Sequence, residues 1–458
     1  MSYSEAINYL YSLQKQGIKF GLGNITKLTS VLDNPQQSFS SIHVAGTNGK
    51  GSTSAIIASI LRNLGLKVGL FTSPHLVSFT ERIKVDGEEI TEPEVVCLAE
   101  KLRTVISQLQ FSEPDFSPTF FEVVTAMALL YFKSKKVDIA VAEVGMGGRL
   151  DATNIITPEV SVITNISYDH REFLGHTLRE IAYEKAGIIK KGAPVVVSFQ
   201  PREALDVIKE KALEMDTVLY LDGREFSAIL RDADMHGICF DYYSKDSFIL
   251  RDLYLPLIGE HQMKNASIAI KAVELLNKRR LNPAVARHSV LIAHHSIKDG
   301  LATVQWPGRL EMIKHEPPIL IDGAHNPAAA VALSNALEQI LLRHYKRIIL
   351  VLGIMGDKDI EGIMRPLLRM ASEIILTSPD YNRSASPDRL ANMAASLGFT
   401  DIHISPTLKD ALKLAQNICQ LSNLSSSSSL ILVTGSFYTI GEAKEFIGYH
   451  GVLTRLRE

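Results

Sequence analysis

The chain has 458 residues, enough for two or three domains, with 21% charged and 46% hydrophobic residues, a globular rather than a disordered or fibrous balance. Its 48 Lys and Arg face 50 Asp and Glu for a net charge of -2, which argues against bulk nucleic-acid binding, because that needs a basic face to displace counterions. Cys97, Cys239 and Cys419 lie far apart with no C-x-x-C pair, so zinc and redox chemistry are not expected and reduced thiols fit a cytoplasmic protein.

The opening stretch "MSYSEAINYLYSLQKQGIKF" is broken by polar residues and has no small-residue cleavage site, so it does not read as a signal peptide. No apolar run reaches the length of a membrane span; "VVTAMALLYF" is short and runs into Lys133. Along the chain, "SIHVAG", "KVGLFTS", "DIAVAEVG", "VSVITNIS" and "APVVVSF" are apolar without alternation, which suits parallel strands buried on both faces. Helix-period segments lie between them, such as 53–64, which Gly65 can terminate. From about 218 to 257, pieces such as "GICFDYYSKDSFILRDLYL" alternate, predicting a small antiparallel sheet that closes the first domain.

A second series follows: "PPILIDGAHNP", "RIILVLGIMGDKD", "EIILTSP", "DIHIS" and "LILVTGSF". The fold class is therefore α/β in two domains, expected at 1–298 and 299–458, with a hinge at 297–303 where Gly300 absorbs the motion. The serine-rich segment 421–430 reads as a surface connection, and no solenoid repeat is present.

"AGTNGKGSTSA" sits between the first strand and its helix. It is two residues shorter than the ordinary P-loop between its first glycine and its lysine, and Gly51 separates Lys50 from Ser52. Strand, glycine turn and helix N-terminus still gather backbone N–H groups and the positive helix end around one point, as a polyphosphate requires. Lys50 supplies a mobile ammonium, and the Ser52 or Thr53 hydroxyl can reach Mg2+.

Other strand ends carry polar groups: Ser73 and His75 in "FTSPHL", Glu143 in "AEVGMGGRLDATN", Asp169 and His170 in "TNISYDH". Each has an ordinary structural account as a turn residue, an edge carboxylate or a satisfied histidine. Ligands of doubly wound sheets bind at the carboxyl ends of strands, so these segments and the glycine loop are expected to share one crevice. A hydroxyl, a carboxylate and a neutral imidazole, completed by waters and phosphate oxygens, suit Mg2+.

Taken together, "GTNGKGST", "FTSPHL", "EVGMGGRLDATN", "EKAGIIK", "GEHQMKNASIA", "WPGRLE" and "DGAHNP" resemble the folylpolyglutamate synthase/dihydrofolate synthase branch of the Mur ligase family, in order and over essentially the whole chain. The shortened loop is similar to that family's own variant. The resemblance implies a P-loop ATPase α/β domain followed by a Rossmann-like α/β domain. It also implies ATP-dependent amide formation between a pteroate or folate carboxylate and the amine of L-glutamate, through an acyl phosphate.

By the same resemblance, Gly46, Thr47, Asn48, Gly49, Lys50, Gly51, Ser52 and Thr53 hold the ATP phosphates. Ser73, Glu143 and His170 ligate Mg2+, with Ser52 serving a second ion, and Lys185 matches a lysine carbamylated in many members. Asn265 contacts the adenosine, while Arg309 and Asp322 bring the second domain onto the nucleotide. His325 and Ser436 hold the incoming glutamate. The pterin falls to Gly21, Leu22, Gly23 and Asn24, to Thr119, Phe120, Phe121 and Glu122, and to Leu150, Asp151 and Ala152. Phe120 and Phe121 can stack on a flat ring, although aromatic residues of such a segment are usually core.

The substrates expected are dihydropteroate or tetrahydrofolate with L-glutamate, and the family suggests a monomer. A ligase acting on a peptidoglycan nucleotide would need a UDP-binding domain ahead of the ATP loop, for which Gly46 leaves no room. A polyglutamate synthase without the dihydropteroate activity is one alternative. A P-loop nucleotide-binding module without synthetic activity is another, and it leaves the second domain unexplained.

Overall fold

The computed structural model describes residues 1–17, 19, 21–245, 248–278, 294–421 and 428–449. The first sheet has eight strands: β1 (Ser40–Ala45), β2 (Val68–Phe71), β3 (Ile83–Val85), β4 (Glu88–Glu89), β5 (Ile139–Glu143), β6 (Val160–Ile163), β7 (Val195–Val197) and β8 (Leu219–Leu221), in the order β4-β3-β2-β5-β1-β6-β7-β8. Every residue of β1, β5, β6 and β7 is buried, as unbroken apolar runs predict for strands covered on both faces. Pairing is parallel except at the β2–β3 and β3–β4 edge. Ile42, Val44, Val141 and Val162 pack on the helix Lys50–Asn63 through Ile56, Ile57 and Ile60, while Phe71, Ala140 and Ala142 face the helix Phe120–Lys135. β1 lies between β5 and β6, so the crevice at their carboxyl ends is the place where an open α/β sheet takes its ligand.

The expected antiparallel sheet is present as β9 (Phe226–Ala233), β10 (Ile238–Ser244) and β11 (Ile249–Leu255). Its start differs from the expectation, because Leu219–Leu221 pairs in parallel with β7 as the edge of the large sheet. The helix Glu260–Lys278 holds the small sheet in place through a buried polar network. Lys271 Nζ donates to Ser244 Oγ and Glu274 Oε1, each at 3.0 Å, and Tyr242 Oη donates to Glu274 Oε2 at 3.1 Å.

The hinge expected at 297–303 is overturned by its packing. Residues His294–Ala302 form a helix on the first unit, with Ile297 and Leu301 in its core and Ser59 Oγ donating to the Gly300 carbonyl at 2.7 Å. A side chain at Gly300 would meet the backbone of Ile60. Gly300 serves close helix packing rather than motion.

The second unit has β12 (Glu311–His315), β13 (Pro318–Ile321), β14 (Arg347–Leu352), β15 (Glu373–Leu376), β16 (His403–Ile404) and β17 (Ser429–Thr434), ordered β12-β13-β17-β14-β15-β16. Only β12 runs antiparallel to its neighbour. Alternation along the strands separates two cores. Leu320, Leu350 and Leu432 pack with Leu337 and Met364 on one face, and Ile319, Ile349 and Val433 pack with Leu412 and Ala415 on the other. The serine-rich segment at 421–430 falls largely outside the described residues. Among the described residues, no helix is long and apolar enough to cross a membrane.

Candidate active site

The glycine loop leaves β1 and enters the helix Lys50–Asn63 with Gly49 in the left-handed N-cap position at φ 86°. Gly46 stands at φ 148°, and a Cβ there would collide with the Thr164 side chain. Thr47 ties the loop to the end of β6: its N–H donates to the Asn165 carbonyl at 2.7 Å and its Oγ1 to the Ser167 carbonyl at 3.0 Å. Lys50 Nζ donates to the Thr47 carbonyl at 3.3 Å, folding the ammonium back over the loop. Two side chains press on the loop from outside. The Asn265 amide lies against Gly49, and the indole edge of Trp306 lies against Gly51, where any Cβ would strike it.

Lys185, on the helix Leu178–Ala186, is buried, and its Nζ donates to the Gly46 carbonyl at 2.8 Å. Burial, aided by the Lys50 charge, brings this ammonium down to about 7. It is therefore no surface lysine. Glu143 ends β5 in a buried position and accepts from the Ser73 N–H at 3.2 Å. Burial pushes its carboxyl up to about 7, against the opposing pull of Lys50, Arg309 and Arg82. His170 follows at the mouth of the crevice with φ 49° and its side chain 41% exposed; partial desolvation, with Lys358 and Lys50 nearby, lowers its imidazole against the opposing pull of Asp169.

These groups fit a divalent cation and a polyphosphate. Glu143 is a buried carboxylate in want of counter-charge, and His170 is a neutral imidazole. Buried atoms without a protein partner include Thr53 Oγ1, in the first turn of the loop's helix, and Trp306 Nε1, beside Gly51. Among the described residues no three His, Cys, Asp or Glu side chains form a metal nest. The expected ligand set contains only two of those types, and phosphate oxygens and hydroxyls complete such a site.

The second unit meets the first at this crevice. Asn48 and Asn326 exchange side-chain hydrogen bonds at 3.1 and 2.8 Å, and Asn326 Nδ2 also donates to Asp169 Oδ2 at 3.2 Å. His325 Nε2 stands 3.5 Å from the same carboxylate, with its Nδ1 on the Gly323 carbonyl at 2.8 Å. Lys358 Nζ donates to Asp169 Oδ1 at 2.7 Å. Arg309 lies over the Phe437 ring, 4.8 Å from its centroid. Asp322 accepts from the Leu310 and Ala324 N–H groups, and burial raises its carboxyl despite the Arg309 charge.

Several expected contact residues already hold partners inside the fold. Ser436 is 1% exposed and caps the helix Phe437–Phe446, accepting from the Thr439 N–H at 3.0 Å and sharing a 2.7 Å bond with its hydroxyl. Its hydroxyl thus holds the start of that helix. Asp151 is likewise internal: it receives the Met146 and Thr153 N–H groups and the Thr153 hydroxyl, which His43 Nε2 meets at 2.8 Å. Phe120 is core, stacked on Tyr11 at 5.1 Å. Thr119 and Glu122 form a capping box.

The three expected pterin segments do come together. Asn24 Nδ2 donates to the Ser117 carbonyl at 3.1 Å and reaches Glu122 Oε2 at 3.5 Å. Phe121 covers Gly145, and Leu22 and Ala152 belong to the same apolar cluster as Phe120. His75 turns inward, linking Arg82 Nε at 2.8 Å to Tyr11 Oη at 3.2 Å.

Sequence reading missed Lys358, although "GDKD" follows β14 and the strand-end rule that selected Glu143 applies to it. It also missed Trp306, which touches the glycine loop only through the fold, and the fully buried Arg82, for which no local pattern stands out.

A glycine loop at the switch point of an open sheet, facing the strand-end loops of a second α/β unit, defines a two-domain nucleotide-dependent enzyme architecture. The Mur ligase middle domain matches residues 44–273, and the Mur ligase glutamate ligase domain matches residues 308–437. The chain is 34% identical over 446 residues to the dihydrofolate synthase/folylpolyglutamate synthase of Bacillus subtilis, covering 97% of this chain and 99% of that one. It is 36% identical over 445 residues to the folylpolyglutamate synthase of Lacticaseibacillus casei, covering 97% and 98%. The Mycobacterium tuberculosis folylpolyglutamate synthase complexed with ADP has the same fold, with a TM-score of 0.89 at 32% identity over 98% of this chain and 99% of that one. The chain belongs to the Mur ligase family, in its dihydrofolate synthase/folylpolyglutamate synthase branch.

Proposed function

We propose that this chain is an ATP-dependent ligase that joins L-glutamate to dihydropteroate and to tetrahydrofolates. The observation that carries the reading is the meeting of the glycine loop, through Asn48, and of Asp169 at the next strand end with Asn326, His325 and Lys358 of the other unit, while Lys185 holds the loop's first carbonyl from below. A carboxylate is a poor acylating agent because its leaving group would be oxide. Transfer of the ATP γ-phosphoryl group to it gives an acyl phosphate, and the glutamate amine then displaces phosphate to form the amide.

The loop amides of Gly46 to Thr53 bind the phosphates, with Asn265 and Trp306 walling the loop on the nucleotide side. Lys50 swings from the Thr47 carbonyl onto the transferring phosphoryl group, and Arg309 adds a second cation backed by Asp322. Glu143, His170 and Ser73 would hold Mg2+, with Ser52 serving a second ion, and the metal would supply counter-charge to the phosphate oxygens. Carbamylated Lys185 would place an anion where an ammonium now stands. The segments at Gly21 to Asn24, Thr119 to Glu122 and Leu150 to Ala152 frame the pterin, with Phe121 as its aromatic wall. His325 receives glutamate.

The division of the chain into two domains belongs to the same proposal, with the expected 298/299 boundary moved past the helix His294–Ala302 that packs on the first unit, as do a monomeric state, a cytoplasmic location and the lack of a nucleic-acid partner. The test is incubation with Mg2+-ATP, L-glutamate and either acceptor, following phosphate release and product mass. Amide from both acceptors is expected. Amide from tetrahydrofolate alone would leave a polyglutamate synthase, and none from either would overturn the reading.

A further inference from the structure

The loop after β14 places Lys358 across the seam between the units by using its neighbours as anchors. Asp359 caps the helix Ile360–Leu368, its Oδ1 accepting from the Gly362 N–H at 2.9 Å, and Asp357 pairs with Arg383 at 3.2 Å. The Gly356 N–H donates to the Arg383 carbonyl at 2.7 Å, and Arg389 donates to the Gly356 carbonyl at 3.1 Å. The two flanking carboxylates are thus satisfied inside the second unit, and the lysine between them reaches out. It meets Asp169 of the first unit at 2.7 Å, with side-chain exposures of 12% and 7%. A pair so enclosed differs from an exposed surface bridge, which is worth little. Beside it the Asn48–Asn326 exchange ties the glycine loop to the same seam.

We infer that Lys358 is a positioning residue whose ion pair with Asp169 seats the second unit over the acyl-phosphate centre, so that glutamate rather than water meets the intermediate. The inference rests on the ligase reading above. Its chemical consequence follows from the intermediate. Water attacking the acyl carbon breaks the C–O bond to phosphate and restores the carboxylate, with the proton passing to solvent. One ATP is then spent for no amide. A seam that is not held shut raises this loss, because excluding water is what closure contributes.

The test compares wild type, Lys358→Met and Lys358→Arg, measuring phosphate and amide in the same reaction of Mg2+-ATP, L-glutamate and tetrahydrofolate. Wild type is expected to release matched amounts. Lys358→Met is expected to release roughly twofold or more phosphate over amide, with a raised KM for glutamate, since an opened seam admits water. Lys358→Arg is expected to restore the match. The ratio does not depend on how much of the variant is folded, so a destabilised Lys358→Met remains informative. A matched ratio in Lys358→Met, including loss of both products in equal proportion, would overturn the inference. So would a Lys358→Arg as uncoupled as Lys358→Met. Wild type that makes no amide with either acceptor would instead overturn the ligase reading, and the inference with it.

Discussion

Lys185 Nζ and the Gly46 carbonyl are joined at 2.8 Å, so an amine buried under the phosphate loop touches the first residue of that loop. With its ammonium brought down to about 7, mainly by burial, a large share of this amine is neutral at physiological pH. Only the neutral amine adds CO2, so a carbamate forms readily above about pH 7 and less readily as the pH falls below it. Removal of dissolved CO2 is expected to lower activity, more steeply at pH 6 than at pH 8. Lys185→Ala is expected to lose activity and to regain part of it with added acetate or formate. An enzyme indifferent to CO2, with a variant that no carboxylate rescues, would show that the amine itself serves.

Lys50 Nζ donates to the Thr47 carbonyl at 3.3 Å, a bond within its own loop. Lys50→Ala is expected to reduce amide formation about a hundredfold or more, the scale of losing a group that stabilises transition-state charge. Its thermal unfolding is expected to stay close to wild type, within about 0.5 kcal/mol. Turnover and a melting curve on the same preparation check this. Retained turnover would remove Lys50 from the phosphoryl-transfer step.

The central parallel strands of both large sheets were legible because burial on both faces leaves an unbroken apolar run, as in "VSVITNIS" and "RIILVLG", whereas the short or part-exposed edge strands β3, β4 and β12 carry no such run. The crevice was legible because strand ends and glycine loops mark it. What stayed hidden depends on contacts between distant segments. Leu219–Leu221 is too short for its alternation to tell a large sheet's edge from a small sheet's first strand. Ser436 before Phe437 looks the same as a helix cap or a ligand contact until its hydroxyl is seen to be used. Gly300 reads as a hinge until Ile60 is seen against it. Lys358 and Asp169 are 189 residues apart, and nothing in either segment names the other.

Gly46 tests whether the loop's opening residue must lack a side chain. Its φ of 148° and the Thr164 side chain both oppose a Cβ. Gly46→Ala is expected to cost about 1–3 kcal/mol of backbone strain, with a similar amount for the clash. Thr164→Ala in the Gly46→Ala background takes away the Oγ1 clash but leaves the residue-164 Cβ and N at 2.9 and 3.1 Å from the new methyl, so, measured against Thr164→Ala alone, it should return only part of the second cost and leave the first. Denaturation midpoints of the single and double variants measure both. An unchanged midpoint in Gly46→Ala would mean that the loop relaxes freely.

His43 gives the pH dependence. It is completely buried on β1, its Nε2 is held at 2.8 Å by the Thr153 hydroxyl, and burial pulls its imidazole from 6.5 down to about 3. Because the folded value lies below the unfolded one, the unfolded chain takes up the proton first. The stability that neutral His43 contributes is therefore fully present above about 6.5 and is lost as the pH falls from there toward about 3. The loss approaches about 1.4 kcal/mol for each pH unit within that window. His43→Gln removes the titration while leaving an amide that can still donate to Thr153. Between pH 7 and pH 5 the wild-type unfolding temperature is expected to fall further than that of the variant. Parallel curves would show that the strand under the phosphate loop opens to let His43 take its proton without unfolding.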